Sequence, residues 1–290
     1  MSRGARRFAA LAALLLLLLA VPAAHAAPGG GGQRIVALTP FGANTLAELG
    51  VTPVGVGQTL GGRERFSPQL KGVEVLPLSH PNGPNLEQLA SLDPDLVLSS
   101  RTWAKGNQAM ESLGIRVIVR EPVSIAGSLA DTYKIGQLVG RAHRARQIVK
   151  QRRRQIEAAQ RGISARPRVM LLLGVGRTPF TFLPNSWGGD VLEAAGAELL
   201  TGGVSSSSGF ERISDEVVIA EDPEVIIAVP HANAEDIPSL TQYLRSNPAW
   251  SSTTAARSGR VYVSVDNSLL QAGTDVAATI RKVRRQFLHN

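Results

Sequence analysis

The chain has 290 residues, no cysteine and a formal charge of +8. The lack of cysteine excludes a disulfide framework, a thiolate metal site, a cysteine nucleophile and a lipid anchor on an N-terminal cysteine. The basic excess does not point to nucleic acid. It concentrates within 141–154 and 281–285, where no aromatic residues interleave to form a stacking platform.

In chain order, residues 1–26 read as a signal peptide. Arg3, Arg6 and Arg7 precede an apolar run over 8–22, and Ala24-His25-Ala26 supplies a small-residue cleavage pattern before Ala27. The apolar run is shorter than the roughly 20 residues that span a bilayer. Removing the three leader arginines lowers +8 to +5. Residues 27–33 read as a Gly-rich flexible linker; with no N-terminal cysteine to carry a lipid, the expected product is a free, periplasmic chain, expected as a monomer.

From residue 34 short apolar strands alternate with helices. Strands are expected at 34–38, 53–57, 73–76, 95–99 and 116–120, with helices at 43–49, 85–92 and 108–113 between them. Strands separated by helices argue for a parallel α/β sheet. The stretch 126–162 breaks this rhythm: it has no proline and its apolar positions keep a helical period through Gly136 and Gly140. A helix of some 30 residues within it would reach about 45 Å, long enough to bridge two domains. After Pro167 the alternation resumes, with strands at 168–173, 225–229 and 260–265. The expected fold is therefore two Rossmann-like α/β lobes, 34–125 and 163–290, joined by one long helix, with a ligand cleft between them.

Each lobe repeats one passage. Asn85-Leu86-Glu87 leads through a short helix to Asp93-Pro94-Asp95 and a strand. Ser214-Asp215-Glu216 leads in the same way to Asp222-Pro223-Glu224 and a strand, at a constant offset of 129 residues. Asn85 and Ser214 suit N-cap positions. Glu87 and Glu216 fall where a helix N-terminus favours an anion by about 0.3–1 kcal/mol. The pair therefore reads either as helix-end stabilisation or as two matched acidic points for a two-fold symmetric partner.

With that repeat, the sequence resembles the class III periplasmic substrate-binding proteins of ABC importers. The resemblance runs from about residue 34 to 288. It rests on Arg34-Ile35-Val36-Ala37-Leu38-Thr39-Pro40, Pro53-Val54-Gly55-Val56-Gly57, Pro84-Asn85-Leu86-Glu87, Leu113-Gly114-Ile115, Asn247-Pro248-Ala249-Trp250 and Gly259-Arg260-Val261-Tyr262. It implies a non-catalytic protein that carries an iron-siderophore chelate, or alternatively vitamin B12 or haem, to a membrane permease dimer. It also implies that Glu87 and Glu216 dock on arginine pockets of that permease. The chain departs from the pattern at Asn44-Thr45-Leu46, where relatives carry an acid, and near Ser268-Leu269, where they keep an aromatic.

Ligands of open α/β sheets bind beyond the carboxyl ends of the strands. The loops there offer Phe41, Arg63, Arg65, His80, Arg101 and Trp103 from the first lobe, and Trp187, His231 and Asn267 from the second. The arginines suit an anionic chelate; Trp103 and Trp187 suit an apolar face. His80 and His231 follow strands in opposite lobes and either hydrogen-bond or fill an open metal position on the cargo. No spacing gathers the three or four ligands of a resident metal, and no cofactor is expected. The competing class is a secreted α/β hydrolase. Against it, the sequence lacks a Gly-x-Ser-x-Gly elbow and a phosphate-binding loop, and Gly55–Gly61 does not match the dinucleotide fingerprint.

Overall fold

The computed structural model describes residues 33–58, 66–175, 178–231, 236–264 and 268–289. The leader, most of the linker, Arg63, Arg65 and Asn267 lie outside the described residues.

The first lobe begins with Ile35–Ala37 (β1), whose residues are buried on both faces, as a central parallel strand requires. Thr39 caps the following helix, Pro40–Glu48 (α1), by accepting from the Gly42 amide. Next come Gly55–Gly57 (β2), Glu74–Leu76 (β3), a small hairpin of Leu78–Ser79 (β4) and Gly83–Pro84 (β5), and helix Leu86–Ser91 (α2). Leu96–Ser99 (β6), Ala104–Ser112 (α3) and Val117–Val119 (β7) complete the lobe. The sheet order is β3-β2-β1-β6-β7, and every pairing is parallel.

The connection corrects the expected single helix over 126–162. It consists of two helices, Ile125–Leu138 (α4) and Ala142–Gln160 (α5). Gly140 has φ +67°, the left-handed conformation that terminates a helix, and the Arg141 amide turns back to the Gly136 carbonyl at 2.6 Å. The two helices then pack so closely that a Cβ on Gly136 would lie 2.3 Å from the Ala145 Cβ. Gly136 and Gly140, which fit a continuous helical pattern as tolerated interruptions, are the residues that make the crossing possible.

The second lobe contains Arg168–Val175 (β8), Thr178–Phe182 (β9), Trp187–Ala194 (α6), Glu198–Leu199 (β10) and Phe210–Arg212 (β11). It continues with Asp215–Glu221 (α7), Val225–Pro230 (β12), Ile237–Arg245 (α8), Thr254–Arg257 (α9), Val261–Val263 (β13) and Val276–Val283 (α10), which a π-helical turn over Arg284–Leu288 extends. Its sheet runs β11-β9-β8-β12-β13, with β10 beside β8. β8, β12 and β13 are parallel, as expected, whereas β9 and β11 add an antiparallel margin that the sequence reading left as loop.

Residues 33–290 form one compact unit. One continuous apolar core joins β1 and α1, the buried faces of α4 and α5, and β8, α6 and α10. Each sheet has a separate core on its other face, around Leu89 and Trp103 in the first lobe and around Leu172 and Trp250 in the second. The lobes thus share packing through α4 and α5, which supports only small relative movement on ligand binding.

Candidate ligand cleft and docking face

The repeat in the sequence is a repeat in hydrogen bonding. Asn85 accepts from the Gln88 amide at 3.0 Å and Ser214 from the Val217 amide at 3.4 Å, so α2 and α7 start alike. Asp93 and Asp222 end them with φ of 44° and 40°. An arginine that opens the central strand of each lobe then clamps the helix end. Arg34 Nη2 donates to the Leu92 carbonyl at 2.7 Å, and Arg168 Nη2 to the Glu221 carbonyl at 2.6 Å. The Arg34 and Arg168 amides donate to the carboxylates of Asp95 and Glu224 at 2.7 and 2.8 Å. These arginines lie 134 residues apart rather than 129, so they fall out of register with the repeat in the sequence. Glu87 and Glu216 occupy matching places in the first turns of α2 and α7, and both are exposed. The Ser214 hydroxyl holds the Glu216 carboxyl below its ordinary range. Both acids sit on firmly built helix ends.

At the carboxyl ends of the strands, His80 leaves β4 and His231 leaves β12. Their imidazoles come near enough that a charge on His80 disfavours one on His231. Burial and then this neighbour push the His231 pKa below the ordinary value. The His80 ring stands 6.5 Å from the Trp103 ring, at 59°. The structure thus brings together His80, Trp103 and His231, drawn from both lobes. Arg101 opens the short 3-10 turn that carries Trp103 and is exposed beside it in sequence.

A polar network lies under the same turn. Ser99 Oγ donates to Asn107 Oδ1 at 2.6 Å, Asn107 Nδ2 donates to the Ser100 carbonyl at 2.8 Å, and Ser100 Oγ donates to Glu121 Oε2. Burial raises the Glu121 pKa, only partly opposed by the Ser100 hydrogen bond. The sequence reading missed Glu121, although its place just after a strand was the available signal. Because the folded state binds this proton more tightly than the unfolded chain, the contribution is favourable at low pH and is lost as pH rises through the folded pKa. Glu121→Gln retains an acceptor for Ser100 and removes the buried charge. The variant is expected to melt higher than the wild type at about pH 7 and to show no gain at about pH 4 or below, where the unfolded carboxyl is itself protonated. Thermal denaturation at the two pH values checks this.

Three aromatic expectations are corrected. Phe41 is 0% exposed and packs in the shared core. Trp187, 4% exposed, packs in the same core while its indole donates to the Ser268 carbonyl at 3.0 Å. Trp103 is 1% exposed. None offers a free face for a ligand to stack on; Trp103 stands behind His80 instead.

A cavity of about 560 Å³ opens between the lobes, within the usual range for ligand sites. Pro40, Asn44 and Phe66 line it from the first lobe, and Ser268, Gln271 and Asp275 from the second. Asn44 lies on α1 and Asp275 caps α10, so the cavity runs between these two helices. Neither His80 nor His231 lines this cavity; the histidine pair and the cavity are two places, each drawing on both lobes.

Residues 35–266 match the family model described as periplasmic binding protein, and the chain belongs to that family. Its members are solute-binding proteins and not enzymes, which removes the hydrolase alternative. A cobalamin-binding protein of Halobacterium salinarum is 30% identical over 264 residues, covering 89% of this chain and 70% of the relative. A vitamin B12-binding protein of Salmonella typhimurium is 30% identical over 221 residues, covering 72% and 76%. Among solved structures, an ABC transporter substrate-binding protein of Listeria monocytogenes superposes with a TM-score of 0.76 at 21% identity, covering 90% of this chain and all of that one. The S. aureus protein IsdE, complexed with heme, gives 0.73 at 22%, covering 89% and 100%. These two share the two-lobed fold.

Proposed function

We propose that this chain is the exported binding component of an ABC importer, and that its cargo is a metal tetrapyrrole, a corrinoid first of all. The observation that carries the reading is a site assembled from the strand-end loops of both lobes in a protein built from two like halves. The relatives at 30% identity that are named for cobalamin and vitamin B12 support the corrinoid. They move it ahead of the iron-siderophore chelate that the sequence reading placed first. Haem is the second tetrapyrrole, and a relative named for Fe(3+)-citrate, 20% identical, lends support to a chelate. Glu87 and Glu216 are the permease-docking acids in this reading, and the leader over 1–26 directs the chain out of the cytoplasm.

Calorimetric titration with cobalamin, haem and a ferric hydroxamate tests the cargo class. Binding of cobalamin at micromolar or lower Kd, about −8 kcal/mol or better, with no heat from the hydroxamate, is the expected result. Tight binding of the hydroxamate alone would replace the tetrapyrrole with a chelate.

A further inference from the structure

The basic excess of the chain gathers on two neighbouring helices, α5 and α10. Glu157 is the single acid within 141–161, and 276–289 holds none. Part of this charge works inside the fold. Arg152 pairs with Glu48, Arg144 donates to the Glu48 carbonyl, and the Arg146 guanidinium stands 5.9 Å from the Tyr133 ring centroid. Arg284 Nη1 donates to the carbonyls of Ala159 at 2.5 Å and Arg161 at 3.0 Å, which ties the end of α10 to the end of α5.

Six further cations do none of this. Lys150, Arg153 and Arg154 lie on α5, Arg161 follows it, and Arg281 and Arg285 lie on α10 and its π-helical extension. All six are exposed, and their side chains form no hydrogen bond or ion pair among the described residues. Ala145, Arg152, Ile156 and Ala159 turn inward from α5, which places Lys150 and Arg154 on its opposite side. The helix dipole favours cations only in the last turn, whereas 150–154 is the middle of a helix that runs from Ala142 to Gln160. Like charges at i and i+4, as in Lys150 with Arg154 and Arg281 with Arg285, weaken a helix. Local stability therefore does not account for this face, and an anionic partner would offset the repulsion.

What else the face holds limits the partner's chemistry. No aromatic residue occurs within 141–161, and Phe287, beside the α10 cations, is buried, so bases would find nothing to stack on. The exposed large apolar side chains among the described residues, Val75, Leu113, Val123 and Ile219, all lie elsewhere. The face thus lacks the apolar centre of a protein interface. The apolar stripe of α5 is already buried in the shared core, so the helix does not sink into a bilayer as an amphipathic anchor does. A broad cationic surface remains, and it suits a layer of anionic headgroups, which attracts each Lys or Arg without a shaped pocket.

We propose that the outer faces of α5 and α10 hold this chain reversibly on an anionic phospholipid surface. The chain has no cysteine to carry a covalent lipid, and this attraction keeps it at a membrane instead. Glu87 and Glu216 stand on α2 and α7, which pack on the other faces of the two sheets through Leu89 and Val218. A lipid-held chain therefore leaves both acids uncovered. Attachment of this kind is independent of the cargo.

Flotation of the exported chain, freed of the leader over 1–26, compares vesicles of equal phosphatidylglycerol and phosphatidylcholine with vesicles of phosphatidylcholine alone. The chain is expected to float with the anionic vesicles at low salt, to leave them at high salt and to ignore the neutral ones. Each cation near such a surface counts for about fivefold in partitioning. Lys150→Gln, Arg153→Gln and Arg154→Gln together should weaken it about 100-fold, with melting temperature and cargo affinity unchanged. Arg281→Gln with Arg285→Gln repeats the comparison on α10, at about 25-fold. Lys71→Gln, Lys105→Gln and Arg116→Gln together, which remove three exposed cations of the first lobe, should change partitioning by less than about fivefold. An equal loss in the two triple variants would reduce the effect to net charge and overturn the assignment to this face. Flotation with both kinds of vesicle alike, or with neither, would overturn it too. Tighter binding of duplex DNA than of the anionic vesicles at equal phosphate would transfer the face to a nucleic acid.

Discussion

Replacing Glu87 and Glu216 together with alanine is expected to reduce uptake at least 100-fold while leaving cargo affinity within about twofold. Both acids are exposed in the first turns of α2 and α7, and neither belongs to the His80–His231 cluster or the cavity between the lobes. The hydrogen-bonded ends of their helices repeat from lobe to lobe, so the two carboxylates are presented in equivalent settings. Truncating one partner of a hydrogen-bonded charge pair buried at an interface costs about 2–5 kcal/mol. Two such losses exceed 100-fold even at the lower figure. Each single variant should fall between the wild type and the double. The experiment pairs uptake in cells or proteoliposomes with calorimetry on the isolated chain. Unimpaired uptake would remove the docking role, and a collapse of cargo affinity would move the glutamates into the ligand site.

Glu48→Ala is expected to destabilise the fold by about 1–3 kcal/mol, below the range for a fully buried ion pair, because Arg152 is buried but the Glu48 side chain is 35% exposed and lines the cavity between the lobes. Arg152, 6% exposed on α5, donates Nη2 to Glu48 Oε2 on α1 at 2.5 Å and Nη1 to Thr132 Oγ1 on α4 at 2.6 Å. Burial pushes this guanidinium below its ordinary pKa. Glu48 opposes that shift, and Asp275 at the start of α10 opposes it more weakly. The arginine thus ties the connecting helices to the first lobe and senses an acid of the second. Without Glu48 its charge keeps the Thr132 hydroxyl as its direct partner among the described residues. The double variant Glu48→Leu with Arg152→Met removes both charges and should recover most of the loss, because an apolar replacement of a buried pair is often neutral. Chemical denaturation of the three proteins provides the comparison. Equal stability of Glu48→Ala and the wild type would show that Asp275 or water suffices for Arg152.

The alternation of strands and helices was legible because parallel strands are buried on both faces and therefore read as continuous apolar runs, such as Leu96–Ser99 and Val225–Pro230. The duplicated helix starts were legible for a similarly local reason: caps and Asp-Pro ends are set by adjacent residues. The break at Gly140 was not, because a single glycine is compatible with a helix interior, and only the close approach of Gly136 to Ala145 selects the turn. Antiparallel β9 carries Pro179 and short β11 follows a Gly/Ser run, so neither shows a strand pattern. In the site, chain order placed His80 and His231 after strands but could not bring them together, since that depends on how two sheets face each other. The tryptophans misled for the opposite reason. A loop position does not reveal whether an indole points outward, and Trp103 and Trp187 both turned into cores.

The central claim is that a metal macrocycle is gripped between the two lobes, and a crystal structure of the chain loaded with cobalamin or haem tests it most directly. The account predicts density for the ring plane between the loop of His80 and Arg101 and the end of β12 at His231, with α4 and α5 unmoved behind it. A macrocycle seated on the outer face of either sheet, touching neither histidine-bearing loop, would contradict it.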